Sequence, residues 1–373
     1  MSTILYILVA ILLLGILIAI HELGHYVTAR LTGIPVREFA IGMGPKLWTR
    51  TSQKTGIIYS LRAIPMGGFC AFFGEDDPDK NVHNDPRALC KQKLWKRMLM
   101  TLMGPMMNFI LAFVVLLLFI WIGGMNVAKP GSLYQPLISG VVTNGHADAS
   151  GIRDGDYIAK INGVDTSITA EELNSANNLD TLLFSTSINT WKEGDPPLVF
   201  TITRGEETVT AEVEPYYDTE AKKNMIGVTY GYAALEYEHI SFDFGESAGL
   251  AWEEFKFYST AIFDAVIGLF KGENLDQVAG PIGTVSIISQ EVRDYGFEAF
   301  IGLLALISVN LGIMNLLPIP GLDGSRIVFM IIEAIRGKPI PPEKEAIVHL
   351  VGFALLFGFM IFISIQDIGR LFH

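Results

Sequence analysis

The pattern of apolar and polar positions divides this chain into stretches of very different character. Residues Ile4 to Ile20 run for seventeen positions without a charge, the lower limit for a helix that crosses a bilayer. Met98 to Gly123 is equally uncharged and contains Gly104 and Pro105 near its start. Ala299 to Pro318, and about Ala346 to Ile365, complete the set. The pattern predicts four transmembrane helices. A signal peptide is an alternative for the first run, but no basic stretch precedes it, and HELGHYVTAR stands where a small-residue cleavage site belongs.

Between the second and third runs the periodicity changes. From about Leu137 to Pro215 short apolar runs alternate with turn signals, and LVFTITRGEETVTAEVEP has the period-two pattern of a β-hairpin about an Arg-Gly turn. Ser247 to Phe270 spaces Leu250, Trp252, Phe255, Ile262 and Val266 as the apolar face of a helix, suited to the outer membrane surface or to packing over the spans. Ile57 to Phe73 is too apolar for an exposed loop, and Pro65, Gly67 and Gly68 rule out a fifth helical span. It is expected to form a β-hairpin that dips into a protein-lined part of the membrane, where other groups can satisfy a non-helical backbone.

Composition agrees with a membrane protein carrying a water-exposed part. Of 373 residues, 50% are hydrophobic and 18% charged, below the roughly 25% usual in soluble proteins, and mean hydropathy is +0.39. The net charge of −12 argues against nucleic acid as a partner. Cys70 and Cys90 are too few for a disulfide scaffold and lack the spacing of a cysteine zinc site.

Charge also sets the expected orientation. Residues 29–97 hold twelve Lys and Arg against six Asp and Glu, whereas residues 125–295 hold ten against twenty-six, net −16. By the positive-inside rule the basic loop, with Lys91, Lys93, Lys96 and Arg97 against the second span, is cytosolic. The acidic segment and both termini are then extracytoplasmic, and both cysteines lie on the reducing side.

The candidate chemistry stands at the end of the first run, as His21-Glu22-Leu23-Gly24-His25. Residues four apart share a helix face, so both imidazoles can hold one zinc ion with Glu22 beside the metal-bound water. Zinc lowers the pKa of that water, and a carboxylate can take its proton as it attacks a carbonyl. Ionisable groups within a span are costly and functional by default. Seventeen steps of ~1.5 Å from Ile4 place the site ~26 Å into a ~30 Å hydrocarbon core, toward the cytosolic leaflet. A third ligand must reach the same depth. Asp323 follows a helix break at Pro318 and Pro320; His349 is its rival, while His83 sits in the charged loop and His146 on the opposite side of the membrane.

These motifs carry a resemblance. HELGH in the first span, Gly104-Pro105-Met106-Met107-Asn108 in the second and the N-x-x-P-x-P-x-L-D-G stretch beginning at Asn315 in the third resemble the site-2 protease family of intramembrane metalloproteases, in its bacterial RseP-type branch. The likeness includes Pro65 to Gly68 and Ala279 to Gly283, and Val141 to Asn162 resembles the core of PDZ domains.

The fold implied is a multi-pass α-helical membrane protein of four transmembrane helices, with a membrane-reentrant β-hairpin and an inserted extracytoplasmic PDZ domain. Its expected divisions are an N-terminal membrane region at 1–125, the PDZ domain at 126–216, a linker with an amphipathic helix at 217–295, and a C-terminal membrane region at 296–373. The activity implied is that of a zinc metalloendopeptidase cutting single-span substrates within the bilayer of the bacterial plasma membrane. Anti-sigma factors and remnant signal peptides are both compatible substrates. The resemblance assigns zinc to His21, His25 and Asp323, the general base to Glu22, and substrate contacts to Asn315, Pro318, Pro320, Asn108, Gly67, Gly68 and Phe69. A peptide is the expected partner of the PDZ unit, and the bilayer that of the spans. Relatives with tandem PDZ domains differ from this chain, which has room for one. A receptor that binds peptides through the PDZ unit without catalysis is the competing expectation, against which the intact Glu22 speaks.

Overall fold

The computed structural model describes residues 3–75, 82, 85–176, 179–219, 221–272, 280–338, 340 and 342–371. The chain divides into two compact units, one of Met1–Gly123 with Phe242–His373 and one of Gly124–Ser241. His83 and Ala279, singled out above, lie outside the described residues.

The first unit opens with α1 (Thr3–Thr32), which is apolar all round through its first eighteen residues and so has no face to offer water. The helix does not stop at the HELGH motif but runs seven residues beyond His25. Two long strands follow, β1 (Val36–Thr51) and β2 (Ile58–Phe72), then α2 (Leu94–Gly123). After the second unit the chain returns with four further helices. Four helices among the described residues are long and apolar enough to cross a membrane, within Leu5–Thr32, Leu94–Gly123, Gly296–Leu316 and Lys344–Asp367. Many large apolar side chains of the last, among them Leu350, Phe353, Leu355 and Ile365, are exposed, as a lipid-facing helix requires.

β1 and β2 are each folded on themselves. Residues 36–41 lie antiparallel to 68–72, pairing Val36 with Phe72 and Ile41 with Gly68, and are flanked on the other side by 58–61. Residues 46–51 pair with 58–62. The result is a small sheet whose edges are 46–51 and 68–72. The sequence indicated a hairpin within 57–73 only; the structure makes 36–51 its partner. The sheet is fixed to the C-terminal end of α1 by a core of Ala29, Ile34, Val36, Ile57, Cys70, Phe72 and Met100, and Tyr26 and Tyr59 share a hydroxyl hydrogen bond of 2.6 Å.

The second unit contains β3 (Met125–Ala128), β4 (Tyr134–Val141), the single-turn α3 (His146–Ala149), β5 (Tyr157–Ile161), β6 (Val164–Asp165), α4 (Ala170–Ser175) and α5 (Leu183–Thr190). It continues with β7 (Leu198–Arg204), β8 (Glu207–Val213), β9 (Tyr216–Asp218), β10 (Lys223–Met225), β11 (Val228–Ala234) and β12 (Tyr237–Ile240). Its main sheet runs in the order β11-β4-β5-β7-β8 with β6 on β5, around a core that includes Ile138, Ile158, Phe184, Phe200 and Ile202. The sheet therefore reaches past residue 216, since β11 is a full partner of β4. The GIRDGD turn is closed by Asp156, fully buried, which accepts from the backbone N–H of Arg153 at 2.8 Å and from the Arg204 guanidinium at 2.7 and 2.8 Å.

The helix foreseen near 247–270 is α6 (Phe244–Lys271), started by a reciprocal cap between Asp243 and Glu246. It packs on α2 through edge-to-face pairs of Trp121 with Phe244, Phe113 with Trp252 and Phe109 with Phe255. α7 (Pro281–Leu316) bends at Gly296, whose φ of 72° interrupts the helix just before the third span. α8 (Asp323–Arg336) and α9 (Pro342–Leu371) complete the unit. Ala10, Leu13 and Leu17 of α1 and Ile288 and Leu304 of α7 form the core between those helices.

Candidate metal centre and its cleft

The continuation of α1 past its apolar part presents His21 and His25 on one face, with their Nε2 atoms 3.2 Å apart. Asp323 Oδ2 lies 3.1 Å from the first and 3.2 Å from the second. Both histidines are buried. The three atoms form a nearly equilateral triangle. Tetrahedral zinc with ~2.0–2.1 Å bonds holds its ligand atoms ~3.3 Å apart, close to what is found. The donor set fits as well. His25 Nδ1 donates to the Met100 carbonyl at 2.9 Å, which leaves its Nε2 a bare lone pair facing a second ring nitrogen and a carboxylate. Such a group calls for a cation at its centre.

α2 passes behind the histidines, and its sequence permits the approach. A Cβ added at Gly104 would stand 2.3 Å from the His25 ring, so no other residue leaves the imidazole its place. One turn on, Asn108 is fully buried with Nδ2 3.3 Å from His21 Nδ1, and its backbone carbonyl accepts the Ser308 hydroxyl of α7 at 2.8 Å. The GP-x-x-N pattern thus serves both histidines.

Asp323 is delivered by the turn from α7 to α8. Pro318 cannot continue the helix, the chain reverses through Pro320 and Gly321, and Asp323 becomes the first residue of α8. Gly324 is needed because a Cβ there would meet the Leu316 and Leu317 carbonyls at 2.3 Å. Ser325 Oγ donates back to Leu322 O at 2.7 Å. His349, the rival ligand, stands outside the group: its Nδ1 accepts the Gly321 N–H at 3.1 Å, bracing the turn that carries Asp323. α8 is held in addition by Arg97 to Glu333 at 2.5 Å and by an ion pair of Arg326 with Glu75.

A cavity of about 480 Å³ opens on the three atoms, lined among others by Glu22, Phe69, Cys70, Phe72, Asn315 and Asp323. Glu22 and Cys70 line this cavity together, where the edge strand 68–72 meets the motif helix. Gly67 and Gly68 lie where that strand begins, Gly68 against Glu22. Asn315 faces the cavity and donates one amide hydrogen to Leu311 O at 3.0 Å, leaving the other available. Pro318 and Pro320 lie in the turn rather than on the cavity wall, and Asn108 lies behind His21. Sequence reasoning named Gly104 within a motif without giving it a role and missed Glu75 and Arg326, whose relevance depends on neighbours far along the chain.

The profile of peptidase family M50 matches residues 9–359. The chain belongs to peptidase family M50. The resemblance to site-2 proteases is thereby borne out. Among its relatives, the regulator of sigma-W protease RasP of Bacillus subtilis is 30% identical over 440 residues, covering 97% of this chain and 98% of that protein. The zinc metalloprotease RasP of Shouchella clausii is 29% identical over 454 residues with the same coverage. A Nostoc relative is 33% identical over 374 residues, covering 98% of this chain and 96% of its own.

Proposed function

We propose that this protein is a zinc endopeptidase that cuts single-span membrane proteins inside the bilayer. The observation that carries the reading is the convergence of His21 Nε2 and His25 Nε2, on a helix otherwise built for lipid, with Asp323 Oδ2 of α8 at 3.1–3.2 Å. Relatives named as zinc metalloproteases over nearly the full chain support it.

In this reading the three residues hold zinc. The bound ion would supply an acidified water and polarise the scissile carbonyl. Glu22, buried beside the group, takes the attacking water's proton at a carboxylate oxygen and returns it to the leaving amine nitrogen. The free amide hydrogen of Asn315 is directed to the carbonyl oxygen as charge develops there. Strand 68–72 is an edge, and a substrate unwound from its helix pairs with it as an added strand, which exposes a peptide bond that helical hydrogen bonding hides. The folded pair β1 and β2, with Ile41, Met43, Leu47, Trp48, Leu61 and Ile64 exposed, is the membrane-reentrant element.

The unit 124–241 is a single PDZ domain that takes a peptide at a sheet edge. Orientation follows the charge distribution: unit 124–241 and both termini outside the cytosol, the metal toward the cytosolic leaflet of a bacterial plasma membrane. Substrates of the anti-sigma factor or remnant signal peptide class fit a site of this depth. Comparing membrane peptides that accumulate in cells carrying Glu22→Gln with those of wild-type cells identifies them; the absence of any accumulating single-span fragment contradicts the reading.

A further inference from the structure

The resemblance gives Asn108 a substrate contact. Its surroundings point elsewhere. The side chain is fully buried, stands behind His21 rather than in the cavity, and has one amide atom 3.3 Å from His21 Nδ1 while the buried Oδ1 has no partner. His25 shows what its neighbour needs: Nδ1 donates to a fixed acceptor on α2, the Met100 carbonyl, and Nε2 is left bare toward the metal group. For His21 to coordinate through Nε2 in the same way, Nδ1 must carry the hydrogen, and an amide N–H beside it would oppose donor to donor. Turning the amide by half a revolution about its terminal bond puts Oδ1 there instead, and the two ends of a carboxamide are near-equal in shape. That one turn gives His21 an acceptor and gives the orphaned oxygen a donor.

We infer that Asn108 is a positioning residue that accepts the Nδ1–H of His21 through its side-chain oxygen, fixing the tautomer and ring plane that aim Nε2 at the metal. α2 would then supply the outer hydrogen bond of both histidines, from Met100 and Asn108, two turns apart. The Ser308 hydroxyl on the Asn108 carbonyl anchors this point of α2 to α7 without touching the ring. The inference rests on the reading of His21, His25 and Asp323 as a metal group.

Three full-length variants test it: Asn108→Asp, which keeps an acceptor and cannot donate, Asn108→Leu, which fills similar space with neither, and Ser308→Ala. The readouts are zinc retained against a chelator and the visible absorption of the cobalt-substituted protein, with thermal unfolding to verify folding. Asn108→Leu is expected to lower zinc affinity by about 10–100-fold and to alter the cobalt spectrum, Asn108→Asp to restore both, and Ser308→Ala to leave both unchanged. Equal zinc affinity in Asn108→Leu and wild type overturns the inference. So does loss in Asn108→Asp as severe as in Asn108→Leu, which would make the amide a required donor. Absence of zinc and cobalt binding in the wild type would instead overturn the metal reading itself.

Discussion

At the scale of single residues the site is defined by how little room it leaves. Gly104 and Gly324 are each fixed by a contact of 2.3 Å that a methyl group would make, one with the His25 ring and one with the carbonyls that end α7. Gly104→Ala is therefore predicted to displace the imidazole and lose stoichiometric zinc, measured as metal per purified chain; Gly324→Ala is predicted to do so by moving Asp323. Asp323→Ala should abolish zinc retention while His349→Ala leaves it largely intact, and the reverse result would reassign the third ligand. His21, Glu22 and His25 were legible in the sequence because a spacing of four on one helix is a local property. Asp323 needed the helix break before it and the family motif to be singled out. The place of Asn108 was not legible, since 87 residues separate it from the ring it meets and its type says only that it is polar.

At the scale of elements, each helix and strand has a task that its sequence only partly declares. α1 has the length and apolarity of a span and also carries His21 and His25, the two proposed ligands, and its length exceeds its apolar run. The seventeen-residue run marked where lipid ends, but nothing in it marked the helix end at Thr32. The sheet beside the cavity was harder to read. Its second strand was visible as an apolar stretch, while its first strand contains polar Lys46, Thr49 and Arg50 and a glycine-proline break. Those residues fit an edge strand, whose pattern is set by neighbours not yet known from sequence. In the second unit, Arg204 satisfies a fully buried Asp156. Arg204→Met should cost the unit about 3 kcal/mol or more by leaving that carboxylate unpaired, seen as earlier loss of protease resistance of residues 124–241 on titration with urea. Resistance equal to wild type would mean that Asp156 is satisfied by its turn alone.

At the scale of the whole molecule, the net charge of −12 joins a basic segment at 29–97 to an acidic one at 125–295. The orientation proposed from this asymmetry predicts that an impermeant thiol reagent labels Asp218→Cys, in β9, on cells with an intact plasma membrane and does not label Lys93→Cys, ahead of α2, until the membrane is opened. The opposite pattern would invert the topology.

The buried group of two histidines and an aspartate is proposed to serve hydrolysis with Glu22 as its base. That role is tested most directly by purifying Glu22→Gln, measuring zinc per chain, and assaying cleavage of a single-span substrate in reconstituted bilayers. Zinc equal to wild type and cleavage reduced by at least about 100-fold are expected, the loss of a general base in a site whose proposed metal ligands are untouched. Cleavage at the wild-type rate with zinc retained would contradict it.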